Sequence, residues 1–130
     1  MVELSGLKVL VVEDEGAVAL LIEDMLADLG CEVTHSAAHL AKACELARSA
    51  VVDFALLDLN LNGSSTLPVA SILKQRRIPL VFCTGYGTSG LTEEFASYPT
   101  LVKPFVLTDL RAKVTLALDT SCKGRTLSRR

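Results

Sequence analysis

The chain has no tryptophan, and aromatic residues make up only 5% of its 130 residues. Its core must therefore be built mainly from aliphatic side chains. The four cysteines, Cys31, Cys44, Cys83 and Cys122, are scattered and form no CxxC pair, which excludes zinc-finger and dithiol redox spacing. Cys44 and Cys83 sit in apolar patterns and read as small buried hydrophobes, whereas Cys122 reads as an exposed thiol. No apolar run is long: the longest, Ala17–Ile22 (AVALLI), is far too short to span a bilayer. Nor is there an excess of one charge. Thirteen basic residues stand against 15 acidic ones, for a net charge of −2 and a pI of about 5.6. Neither a nucleic-acid surface nor a membrane surface is indicated. The opening MVELSG lacks the basic start and apolar stretch of a signal peptide. Together with the unpaired cysteines, this gives a cytoplasmic protein as the expectation.

What the chain does have is apolar residues. They make up half of it, with a mean hydropathy of +0.42, enough for one domain with a generous core. Short apolar runs alternate with amphipathic stretches. Strands are expected at Lys8–Val12, Cys31–Thr34, Val51–Asp58, Leu80–Thr84 and Leu101–Val102. Helices are expected between them. The first spans about Glu15–Leu29, with Val18, Leu21, Ile22, Met25, Leu26 and Leu29 inward and Gly30 as its C-terminal cap. The second is capped by Ser36, and the third spans Leu67–Arg76. The last, capped by Thr108, carries Leu110, Val114 and Leu118 inward. Strands that are apolar throughout belong in a sheet covered on both faces, and intervening helices make that sheet parallel. The expectation is an α/β fold, a doubly wound five-stranded parallel sheet with helices on both faces. The domain is expected over residues 1–119, with 120–130 a mobile tail. Gly85–Tyr98 (GYGTSGLTEEFASY) breaks the pattern, and a helix there should be short and frayed.

The polar residues gather where such a sheet forms its sites, beyond the carboxyl ends of the strands. The first strand ends on Glu13 and Asp14, the third on Asp58, the fourth on Thr84 and the fifth on Lys103. Taken singly, each has a plain structural reading: acids at a helix N-terminus, a turn hydroxyl, a solvated lysine. Their coincidence at four parallel strand ends points to a divalent cation and a transferable phosphoryl group. Asp58 is the candidate nucleophile, because a carboxylate can accept a phosphoryl group as an acyl phosphate. Magnesium suits oxygen ligands and keeps waters and phosphate oxygens in its octahedron. Asp14 and Asp58 would bind it directly, Glu13 through water, and Asn60 through its carbonyl. Lys103 would pair with one phosphoryl oxygen and Thr84 would donate to another. Catalysis would then rest on positioning and charge stabilisation. His35 and His39 lie away from these strand ends.

Taken together, KVLVVEDE, LLDLNLNG, VFCTGYG and LVKPF resemble the receiver domain of bacterial two-component response regulators, from about Leu7 to Leu118. The resemblance implies the flavodoxin-like strand order 2-1-3-4-5. It assigns magnesium to Glu13, Asp14 and Asp58, and the phosphoryl group to Thr84 and Lys103. It also implies a cis Lys103–Pro104 bond. VFCTGYG is similar to the Phe-Ala-Thr-Gly-x-Tyr stretch of an alphaproteobacterial group of receivers, often stand-alone and served by kinases of the HWE type. The implied partners are a sensor histidine kinase or a histidine phosphotransfer protein, and a downstream protein. Such a receiver is not an enzyme in the usual sense, since it catalyses only its own phosphorylation and dephosphorylation. Two departures stand out. The position of the usual switch aromatic holds Thr100, with Tyr86 as a candidate substitute, and the loop after Asp58 lacks the familiar proline before Gly63. The competing readings are an interaction module that does not use phosphorylation and a haloacid-dehalogenase-like phosphatase. The latter would want an acid where Asn60 stands.

Overall fold

The computed structural model describes residues 3–85 and 91–128, with side chains described up to residue 119. In chain order the elements are β1 (Lys8–Val12), α1 (Gly16–Asp28), β2 (Glu32–Ala37), α2 (Leu40–Ser49), β3 (Phe54–Asp58), β4 (Asn60–Leu61), β5 (Ser64–Ser65), α3 (Leu67–Gln75), β6 (Leu80–Thr84), a 3₁₀ turn (Glu93–Phe95), β7 (Thr100–Val102) and α4 (Leu107–Ser128). Five of the strands form one parallel sheet in the order β2-β1-β3-β6-β7. Counting only those five, this is the 2-1-3-4-5 order expected above. β4 and β5 form a separate antiparallel pair.

The central strands β1, β3 and β6 are almost wholly apolar because both sheet faces are buried there, and successive residues alternate between two cores. Val9, Val11, Phe54, Leu56, Val81 and Cys83 pack with Ile22 and Leu26 of α1 and Leu110 and Val114 of α4. Leu10, Val12, Ala55, Leu57, Leu80 and Phe82 pack with the residues of α2 and α3, joined by Phe95. Each fully buried Val, Leu, Ile or Phe side chain among them favours the folded state by about 1.5–3 kcal/mol over exposure. Against this parallel frame, the strand ends that carry Glu13, Asp58, Thr84 and Lys103 share one edge.

Several boundaries differ from expectation, for local reasons. Ser36 does not cap α2. It lies inside β2, which runs on to Ala37 through a register shift after Val9, and His39 takes the cap position without a side-chain bond. Thr108 lies within α4, and the cap bond comes instead from Asp109, whose carboxylate accepts the Val106 N–H at 3.3 Å. β3 begins at Phe54, leaving Val51 exposed. Leu21 of α1 is exposed beside Leu20, so the buried stripe narrows to Ile22, Leu26 and, at the helix end, Leu29, flanked by Val18 and Met25. Cys44 is half-buried, whereas Cys31 and Cys83 are buried. Gly30 ends α1 at φ +89°, and an added Cβ there would meet the Ser5 backbone at 3.1 Å. α4 extends to Ser128, into the stretch expected as a tail. Tyr86 and the glycines Gly87 and Gly90 fall outside the described residues, as does the side chain of Cys122. Within the rest of the irregular segment, the short helix is the single 3₁₀ turn Glu93–Phe95.

Candidate functional site

β1 and β3 are paired neighbours, so the residues that follow them emerge side by side. The carboxylates of Glu13, Asp14 and Asp58 can each bring an oxygen within 4.8 Å of the others. Glu13 is buried and Asp14 and Asp58 are half-buried. Lys103 reaches over from the end of β7 and donates to Glu13 Oε1 at 2.7 Å and to Asp58 Oδ2 at 2.9 Å. Its backbone is anchored on the adjacent strand, where the Lys103 N–H donates to the Thr84 carbonyl at 2.8 Å. Thr84 is buried at the end of β6, opposite Val102 in the register. The Lys103–Pro104 peptide is cis. Four strand ends thus place Glu13, Asp14, Asp58, Thr84 and Lys103 at one edge of the sheet.

The electrostatics follow from this crowding. Burial pushes the Glu13 carboxyl above its usual value, and the Asp58 charge acts in the same direction. The Lys103 bond and the Glu15 N–H on Oε2 (3.2 Å) oppose the shift without cancelling it. For Lys103 burial works against the charged form, but the hydrogen bonds and charges of Glu13 and Asp58 outweigh it and hold the ammonium above its ordinary pKa. Cys83, on β6 beside Asp58, is pushed up to about 12 by burial and stays a thiol.

Two features of the site were not foreseen, and both lie between Asp58 and α3. Asn62 and Gly63, at φ +50° and +90°, form the two-residue turn of the β4–β5 hairpin, whose register pairs Asn60 with Ser65 and Leu61 with Ser64. Positive φ at both central residues is the hairpin turn favoured by Asn-Gly. That dipeptide after an apolar residue was the signal available in the sequence. It also accounts for the missing proline, since a ring locked near −65° cannot occupy the Asn62 position. The turn has a use at the site: the Asn62 N–H donates to Asp14 Oδ2 at 2.9 Å. Asn60 donates its N–H to Asp58 Oδ1 at 3.3 Å, while its side-chain oxygen accepts the Gly63 N–H at 2.7 Å. The second feature is Thr66, fully buried, whose hydroxyl donates to the Asp58 carbonyl at 2.6 Å.

Thr100 lies on β7 opposite Phe82, its hydroxyl donating to the Tyr98 carbonyl at 3.1 Å. The aromatic rings of this region are instead Phe82, Phe95 and Tyr98, with Phe95 edge-on to both others at 5.7 and 5.1 Å. His35 bonds to its neighbour Thr34, on the outer strand β2 and away from the acids.

Three carboxylates within bridging distance are a donor set suited to a hard, oxygen-seeking divalent cation. The lysine beside them supplies fixed positive charge. The arrangement can bind such a cation and neutralise charge arriving on Asp58. No helix among the described residues is long and apolar enough to cross a membrane.

Comparison with known proteins agrees with this arrangement. The family model for the response regulator receiver domain matches residues 9–115. The transcriptional regulatory protein PdtaR of Mycobacterium tuberculosis is 30% identical over 116 residues, covering 86% of this chain and 57% of PdtaR. The chain therefore spans somewhat more than half the length of that curated relative. The solution structure of SdrG from Sphingomonas melonis Fr1 superposes with a TM-score of 0.78 at 33% identity, covering 91% of this chain and 99% of SdrG. The receiver domain of the response regulator PhyR from Erythrobacter litoralis does so at 0.76 and 30%, covering 88% and 91%.

Proposed function

The chain belongs to the response regulator receiver domain family, and on that premise we propose that it accepts a phosphoryl group onto Asp58 from the phosphohistidine of a sensor histidine kinase or phosphotransfer protein. The observation that carries this reading is the convergence of Glu13, Asp14 and Asp58 within 4.8 Å, with Lys103 bonded to two of them. In the transfer an Asp58 carboxylate oxygen attacks phosphorus, the phosphorus–nitrogen bond of the donor breaks, and the imidazole nitrogen leaves with the electron pair. Magnesium, held by Asp14 and Asp58 directly, by Glu13 through water and by the Asn60 carbonyl, would supply charge neutralisation for the phosphoryl oxygens. Lys103 stands 2.9 Å from the acceptor carboxylate and pairs with an incoming phosphoryl oxygen. Thr84, at the neighbouring strand end, donates its hydroxyl to another.

The added charge-assisted bonds to Thr84 and Lys103 then bias the protein between two conformations that a downstream protein distinguishes. The protein catalyses its own phosphorylation and dephosphorylation and turns over no separate substrate. The phosphatase alternative wants an acid at Asn60. Asn60 carries an amide, which cannot serve as that acid, and this favours the receiver reading.

The test is thermal unfolding with and without magnesium and fluoroberyllate, a phosphoryl mimic. A ligand that binds only the folded site raises the melting temperature by mass action. A rise in the wild type that is absent in Asp58→Asn is the expected result. No rise in either protein would remove the phosphoacceptor reading and leave an interaction module in its place.

A further inference from the structure

Thr66 takes the N-cap position of α3 but makes no side-chain cap bond. An N-cap hydroxyl ordinarily accepts an N–H from the second or third helical residue. Here the second is Pro68, which has none, and the third, Val69, donates to the Thr66 carbonyl at 2.9 Å. The first-turn amide of Leu67 is taken by the Ser65 hydroxyl at 3.2 Å. The Thr66 hydroxyl thus serves elsewhere, as a donor to the Asp58 carbonyl at 2.6 Å. Its backbone N–H donates to the Leu59 carbonyl at 3.1 Å. One fully buried residue therefore holds two consecutive carbonyls, the first of them that of the candidate phosphoacceptor.

We propose that Thr66 is a positioning residue for phosphoryl transfer: its hydroxyl and amide together fix the Asp58 and Leu59 peptide planes, and through them the Asp58 carboxylate and the Asn60 turn. The inference rests on Asp58 being the phosphoacceptor. Rotation of the peptide after Asp58 would swing the Asp58 side chain and carry Asn60 with it, because Asn60 lies two residues on and bonds back to Asp58 Oδ1. Hydrogen bonds are directional and weaken steeply off-axis, so these two, acting with the Leu59 N–H bond to the Cys83 carbonyl at 2.9 Å, restrain that rotation from both sides of the peptide. Partners one step behind metal-binding groups commonly change metal affinity by about 10–100-fold when removed. Thr66 acts through a main-chain carbonyl, so the lower end of that range applies.

The experiment compares magnesium dissociation constants for wild type, Thr66→Val and Thr66→Ser, followed by the amide shifts of Asn60 and Gly63 in a magnesium titration, alongside melting temperatures without metal. Thr66→Val keeps the shape and the N–H but loses the hydroxyl, and magnesium binding should weaken about tenfold. Thr66→Ser keeps the hydroxyl and should bind within about twofold of wild type, even where the lost methyl lowers its melting temperature. A purely structural role would lower melting temperature and leave the dissociation constant alone. If Thr66→Val does not fold, Thr66→Ala against Thr66→Ser makes the same comparison between two smaller side chains. Equal affinity with and without the hydroxyl, in a wild type that does bind magnesium, overturns the inference about Thr66 alone. A wild type that takes up neither magnesium nor fluoroberyllate overturns the phosphoacceptor reading and the inference with it.

Discussion

Two segments follow neighbouring strands of the same sheet, yet they are held by different physics. After β3, Asp58–Thr66 is closed by hydrogen bonds: Thr66 on Asp58 and Leu59, Asn62 on Asp14, Gly63 on Asn60. After β6, Glu93–Tyr98 is held by rings, with Phe95 fully buried between Phe82 and Tyr98. Lys74 lies 5.7 Å from the Phe95 ring centroid and bonds Glu94 at 2.8 Å on the surface. Hydrogen bonds fix individual oxygens in direction as well as distance. Edge-to-face ring contacts accept a broad range of geometry and stabilise mainly by burial. The segment after β3 therefore holds individual oxygens still, and the aromatic one keeps a connection covered.

The sharpest way to break this comparison is at Phe95. Phe95→Ala should cost about 3–5 kcal/mol, read by urea denaturation, with magnesium affinity intact in whatever fraction remains folded. A loss of magnesium binding in folded Phe95→Ala would mean that the two segments are not separate. The next largest effect belongs to Lys103→Met in metal-free buffer. It leaves Glu13 and Asp58 facing each other without their cation, at a cost on the order of 2–3 kcal/mol. That lies below the cost of a fully enclosed pair, because the lysine side chain is 20% exposed. The pH dependence has a definite sign. The folded-state pKa of Lys103 is raised, so its contribution is complete below the ordinary lysine value of 10.5 and is lost as pH rises beyond it through the folded value. The difference between wild type and Lys103→Met should stay constant from neutral pH to about 9 and shrink only above 10.5. A difference that vanished near pH 8 would refute the bridging lysine.

The contrast also explains what could be read in advance. The sheet was legible because its central strands are apolar on both faces, and the alternation of Leu56 and Leu57 between two cores bears this out. The gathering of Glu13, Asp58, Thr84 and Lys103 was legible because strand ends in a parallel sheet share an edge, which needs no geometry beyond topology. Thr66 was not legible. A threonine before Leu-Pro reads as an N-cap, and only the fold shows its hydroxyl turned to a carbonyl eight residues back. Ser36 and Thr108 failed as caps for the opposite reason: cap preference is local, and strand pairing at Ser36 and the Asp109 carboxylate near Thr108 overrode it. Asn62-Gly63 carries the signal of a hairpin turn, and that turn is the reason proline is absent before Gly63.

That turn gives the third test. Asn62→Pro forces the backbone out of its φ of +50° and removes the N–H that Asp14 accepts. The expected cost is about 1–2 kcal/mol, with a weaker magnesium site. Asn62→Gly keeps both the conformation and the donor and should change stability by only a few tenths of a kcal/mol. Equal behaviour of the two variants would show that the hairpin does not position Asp14.

The smallest expected effect falls on the surface pair of the aromatic segment. Lys74 and Glu94 are close, but their side chains are 45% and 49% exposed, where solvent screens the attraction and ordering two long side chains offsets it. Lys74→Met and Glu94→Gln should each leave the urea midpoint unmoved, although the 2.8 Å contact is as short as those in the acidic site. Distance alone does not rank the two contacts. Lys103 bridges one carboxylate that is 1% exposed and another that is 12% exposed, so its removal strands charge that water solvates poorly, whereas removing Lys74 leaves Glu94 in solvent. A midpoint shift in Lys74→Met approaching that of Phe95→Ala would mean that charge, rather than ring burial, holds Glu93–Tyr98, and the division between the two segments would fail at that point.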